Sequence, residues 1–123
     1  MVLARLLAEK IPDEQAAALV ERAAAWIRDK FHPAAIWLFG SAARHEMTEF
    51  SDLDFLVLFE GREELRQART NGIFKLSSCI GWPVDLIVML YDTFAEKSQI
   101  GGVCQIAKEE GVCLYESKKG TNL

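Results

Sequence analysis

Apolar residues recur along the chain with two different periods, and the switches between them mark out its elements. Ala16, Leu19, Val20, Ala23, Trp26 and Ile27 fall at helical spacing and predict a helix from Asp13 to Lys30. Pro12 suits its start, Asp13 and Glu14 its first turn, and His32-Pro33 its end. A short amphipathic piece, Met1 to Lys10, precedes it with Leu3, Leu6 and Leu7 on one side. Ile36 to Phe39 is a strand-like run cut off by Gly40-Ser41. Ser51 to Phe59 is a second run, apolar except at Ser51, Asp52 and Asp54. After a turn at Glu60-Gly61, Leu65, Ala68, Ile73, Leu76 and Ile80 predict a helix from Arg62 to Ile80, weakened by Asn71-Gly72 and stopped by Gly81. Trp82 to Leu90 reads as a third buried strand with one charge inside it, Asp85. Asp92-Thr93 resembles an N-cap for a helix over Phe94 to Ser98. Gly101-Gly102 interrupts it, and a helix resumes from Val103 to Glu110 with Val103, Ile106 and Ala107 inward. Val112 to Tyr115 predicts a last short strand, and Glu116 to Leu123 a polar tail. Strands alternating with helices predict a layered α/β domain. The expected division is a single domain over residues 1–123, with leading helices in 1–32, a core in 33–116 and a tail in 117–123.

Charges inside runs that should be covered on both faces need a chemical reason. Asp52 and Asp54 are two residues apart, so on a strand they point to the same face. Side by side they repel one another and lose solvation, and a bound divalent cation relieves both costs. Asp85 reaches the same place if its strand lies beside theirs, and it could accept a proton from an attacking hydroxyl. Upstream, Gly40-Ser41 is a glycine turn after a strand, where backbone amides approach an anion. Phosphate donors on one strand end and cation ligands on the next are the equipment of phosphoryl or nucleotidyl transfer. Other motif readings fail: Ser41 with His45 lacks a Gly-x-Ser-x-Gly elbow, and no Walker-type Gly-x-x-x-x-Gly-Lys occurs.

Composition narrows the setting. The 123 residues suit one domain with a real core. Eighteen acidic residues against fourteen basic give a net charge of −4, unlike the basic footprint of a nonspecific nucleic-acid binder. No apolar run approaches the roughly 18 residues of a membrane span, and no leader pattern is present, so a cytoplasmic location is expected. Cys79, Cys104 and Cys113 are odd in number and lack paired spacing, so they are read as buried or half-buried thiols rather than a disulfide or zinc framework.

Gly40-Ser41, ten intervening residues, Asp52-Leu53-Asp54 and the later Asp85 together resemble the signature of the polymerase β nucleotidyltransferase superfamily. The resemblance covers about residues 30–116, and the small size is similar to the minimal nucleotidyltransferases (MNT) of prokaryotes, which pair with HEPN-domain proteins as toxin–antitoxin systems. It implies an α/β (α+β) fold with a mixed sheet and flanking helices. It implies ATP as substrate with magnesium, two ions, manganese being an alternative. Asp52, Asp54 and Asp85 would be the metal-holding and catalytic residues, and Gly40, Ser41 and Arg44 the nucleotide-binding ones. It further implies an antitoxin that transfers AMP to a tyrosine hydroxyl of a HEPN partner, in a hetero-oligomer or homodimer. The alternatives are an antitoxin that masks its partner without chemistry, and a small-molecule enzyme of the aminoglycoside-nucleotidylating type. One departure is visible: family members often carry Gly after the arginine of this stretch, where this chain has His45.

Overall fold

The computed structural model describes residues 9–117, so most of the expected N-terminal amphipathic piece and polar tail lie outside the described residues. The first element among the described residues, α1 (Asp13–Phe31), follows Pro12 and ends at His32, whose φ of 50° closes the helix with an N–H bond to the Arg28 carbonyl. Strand β1 (Ala35–Phe39) leads straight into a one-turn helix, α2 (Gly40–Ala43). Strand β2 (Leu53–Phe59) is followed by α3 (Arg62–Thr70), a 3-10 turn (Ile73–Lys75) and α4 (Leu76–Ile80). Then come β3 (Val84–Leu90), α5 (Tyr91–Lys97), α6 (Gly102–Glu110) and β4 (Val112–Glu116).

The four strands form a mixed sheet in the order β3-β2-β1-β4. β1 runs antiparallel to both β2 and β4, whereas β2 and β3 are parallel and joined by the α3–α4 crossover. β2 is central and buried almost throughout, as its apolar Leu-Asp-Phe-Leu-Val-Leu-Phe sequence, charged only at half-buried Asp54, demands. One sheet face packs Ile36, Phe55, Val57 and Phe59 against Leu19, Ala23 and Ile27 of α1 and Ala68, Ile73 and Leu76 of the crossover. The other packs Ala35, Phe39, Leu56 and Leu58 against Phe94 of α5 and Cys104 and Ala107 of α6. No helix among the described residues is long and apolar enough to cross a membrane.

Several expectations need correction. The predicted helix over 62–80 is broken, because Gly72 takes φ 90° and resets the chain into a new helical direction. Strand β3 is not buried on both faces: it is a sheet edge, and Asp85 on it is exposed. Strand β2 begins at Leu53, which leaves exposed Asp52 one residue ahead of it. In α6 the inward residues are Cys104 and Ala107, while Val103 and Ile106 are exposed. Both sets fit a helical period, but close approach to β1 selects the smaller side chains. Helix α5 begins at Tyr91 after Leu90, so Asp92 lies inside its first turn and makes no side-chain cap. Cys79 and Cys113 are exposed; Cys104 alone of the three thiols is buried.

Candidate active site

The site forms where β1 ends and β2 and β3 begin. In the β2–β3 register Asp54 lies directly opposite Asp85, and in parallel strands paired residues point to the same face. That face continues through Leu56 and Leu58 to the α5–α6 core, so the two carboxylates stand at the end of an apolar surface. Asp54 is also the partner of Phe39 on β1, which places it beside the turn that starts α2.

Gly40 makes that turn at φ 73°, a left-handed conformation that residues with a side chain rarely adopt. A Cβ at residue 40 would collide with Asp54 Oδ2. The glycine is therefore required twice, by its own dihedral and by the carboxylate packed over it. His45 has a φ of 59°. The left-handed turn is thus kept with a side chain on it, and the His45 N–H bonds to the Ala42 carbonyl at 3.2 Å.

A cleft of about 380 Å³ opens over this turn. Gly40, Ser41, Arg44, Asp52 and Asp54 line it, so five of the six residues expected from sequence share one cavity. Asp85 is not in its lining but stands next to Asp54 across the ladder. Thr48, Phe50 and Ser51 also line it and carried no recognisable motif. The signal for Thr48 and Ser51 is local: Thr48 N–H donates to Ser51 Oγ at 2.9 Å and Ser51 N–H donates to the Thr48 carbonyl at 3.0 Å, a compact Thr-x-x-Ser turn. Two larger depressions, of about 440 and 630 Å³, border Glu60 beyond the far end of β2 and include none of the three aspartates. Arg62 lines one of them, away from the carboxylates.

The electrostatics follow from this placement. Burial pushes the Asp54 carboxyl up to about 6 from its ordinary 3.8, and the charges of Asp85 and then Asp52 add to the rise. Arg44 acts the other way, holding the pKa down. The guanidinium of Arg44 is exposed and lies 3.6 Å from Glu46, a surface pair of small energetic value.

The chemistry of these residues suits a divalent cation. All three donors are hard carboxylate oxygens, and a cation would relieve the burial and like-charge repulsion that raise the Asp54 pKa. Among the described residues, no three Asp, Glu, His or Cys side chains converge into a ready-made cage. Magnesium does not need one, because it is usually held by one or two carboxylates and completed by water and phosphate oxygens. The donor set fits that mode, with half-buried Asp54 opposite Asp85 in the ladder and sharing the cleft with exposed Asp52.

No curated protein sequence matches the chain. A solved structure from Sulfolobus solfataricus, described as a candidate nucleotidyltransferase, superposes with a TM-score of 0.56 at 23% identity, covering 88% of this chain and 86% of that one. A structure described as a toxin-antitoxin with AMP-PNP superposes with a TM-score of 0.52 at 21% identity, covering 80% of this chain and 75% of that one. At these identities the likeness establishes a shared fold, the polymerase β-type nucleotidyltransferase fold. The model of the nucleotidyltransferase domain family matches residues 20–114, which spans β1 through most of β4 and includes every carboxylate of the cleft, and the chain belongs to that family.

Proposed function

We propose that the protein transfers AMP from ATP to a hydroxyl group of a partner protein, a HEPN-domain toxin, and so acts as its antitoxin. The observation that carries the reading is the register of Asp54 against Asp85 beside a glycine turn that Asp54 itself keeps free of side chains. The family assignment supports transferase chemistry. The neighbour solved as a toxin-antitoxin with AMP-PNP supports an adenine nucleotide and a protein partner.

In this reading Gly40 and Ser41 receive the β- and γ-phosphates at the start of α2, and Arg44 adds positive charge at the cleft rim. Asp52, Asp54 and Asp85 would hold magnesium, which would supply charge neutralisation on the triphosphate. The acceptor oxygen attacks the α-phosphorus in line, the bond to the bridging oxygen of the β-phosphate breaks, and pyrophosphate leaves. Asp85, exposed at the sheet edge, takes the proton of the attacking hydroxyl. Its edge position leaves that side of the cleft open to another chain, which suits an acceptor supplied from outside. The site is thus mainly a device for positioning and charge compensation.

The test is co-expression with a candidate HEPN partner, followed by mass spectrometry of the partner. An added AMP on a hydroxyl side chain, dependent on ATP and a divalent cation, is the expected result. A partner that is neutralised in cells while remaining unmodified would replace transfer by masking.

A further inference from the structure

Asp52 is held on both sides by a dipeptide that the reading above leaves without a role. The peptide group before it, between Ser51 and Asp52, accepts a hydrogen bond at its carbonyl from Trp82 Nε1–H at 2.8 Å. The peptide group after it, between Asp52 and Leu53, donates its N–H to the Pro83 carbonyl at 3.0 Å. Both peptide planes flanking Asp52 are therefore fixed by Trp82-Pro83, the segment that enters β3. Trp82 is anchored in turn. Ser77 Oγ–H donates to its carbonyl at 2.9 Å, its own N–H donates to the Ser77 carbonyl at 3.3 Å, and its half-buried indole packs against the core.

The Asp52 side chain is in the opposite situation. It is exposed, and no hydrogen bond or ion pair among the described residues holds its carboxylate. The main chain fixes its Cα–Cβ bond, and so the range of positions the carboxylate can reach. A carbonyl on an exposed loop can be satisfied by water, which leaves the peptide plane free to rotate. A donor on a packed indole fixes that plane instead. Residues that orient a ligand without touching the ion commonly matter as much as the ligand.

We propose that Trp82 is a positioning residue. Its indole N–H fixes the peptide before Asp52 so that the Asp52 carboxylate is presented to the divalent cation that accompanies the nucleotide. Trp82 thereby sets cation affinity while touching neither cation nor nucleotide. The inference rests on the reading of Asp52 as a cation-holding carboxylate, and the experiment separates the two.

The test measures Mn2+ binding to the full chain with a non-hydrolysable ATP analogue, from the electron paramagnetic resonance signal of free Mn2+. Four forms are compared: wild type, Asp52→Asn, Trp82→Phe, and a chain carrying 3-benzothienylalanine at residue 82. The last keeps the indole shape but replaces the N–H by sulfur, so it decides the matter should Trp82→Phe lose its fold. Both changes at 82 are expected to weaken Mn2+ binding by about tenfold. In turnover assays they should raise the metal concentration needed for half-maximal rate and leave the rate at saturating metal close to wild type. Tight Mn2+ binding by the benzothienylalanine form, equal to wild type, would overturn the role of Trp82. Tight binding by Asp52→Asn would overturn the assignment of Asp52, and the inference with it.

Discussion

Asp54 is the residue at which folding and chemistry conflict. Its carboxyl is pushed up to about 6 by burial and by the neighbouring Asp85 and Asp52 charges. A raised carboxylate pKa means that the folded state binds the proton more tightly than the unfolded chain. Between about pH 4 and pH 6 stability attributable to this group therefore falls as pH rises, and above that window the penalty is fully present. Asp54→Asn removes the charge, so the apo protein should melt higher than wild type at pH 7. The difference should shrink towards zero as the pH is lowered through 6 to 4, which calorimetry at several pH values will show. Under the proposed function ATP with magnesium should raise the melting temperature of wild type, and the same variant should lose most of that gain. Gly40 is the complementary case. Gly40→Ala adds a methyl group that meets the Asp54 carboxylate, so it should abolish nucleotide binding measured by calorimetric titration.

At the scale of elements, the break between α3 and α4 shows how a local rule is overridden. Helix propensity alone says that Gly72→Ala should stabilise an Arg62–Ile80 helix by about 1 kcal/mol. The structure reverses the sign, because residue 72 has φ 90° and alanine is strained there. The expected outcome is a loss of about 1 kcal/mol in urea unfolding, with nucleotide affinity unchanged. The variant thereby also serves as the control for Gly40→Ala, since both add a methyl group at positive φ but only one does so in the cleft. The break matters for the site: it turns the crossover so that α4 ends at Ser77–Ile80, where Ser77 can hold Trp82 at the entrance of β3.

For the whole molecule, the cleft occupies one end of the sheet, and the docking of a partner can be separated from what is done to it. Asp52→Asn combined with Asp54→Asn alters the cleft and leaves the helical faces untouched. Under the proposed function, association with a HEPN-domain partner, followed by co-purification, should survive. Transfer of AMP should fall by more than about a hundredfold, and growth rescue should vanish with it. A double variant that still protects cells, with an unmodified partner, would show that binding alone is the function.

Much of this was legible in the chain itself. The Gly40-Ser41 turn, the spacing to Asp52 and Asp54, and the lone Asp85 stand out because charges and glycines interrupt apolar runs, and such interruptions are local facts. The helix over 13–30 and the four strands were legible for the same reason: periodicity is carried by neighbours in sequence. What only the tertiary structure decided is which residues far apart in sequence meet. That β3 lies parallel to β2 in the register that sets Asp85 opposite Asp54 depends on strand pairing. That β3 is an edge, so Asp85 is exposed, depends on sheet order. That α6 turns Cys104 and Ala107 inward rather than Val103 and Ile106 depends on how closely it approaches β1. The bond from Trp82 to the Ser51 carbonyl joins residues 31 apart in sequence, and it exists only once β3 has paired with β2. Sequence spacing records which chemistry is available, whereas the pairing of strands, a cooperative property of the folded core, determines where that chemistry comes together.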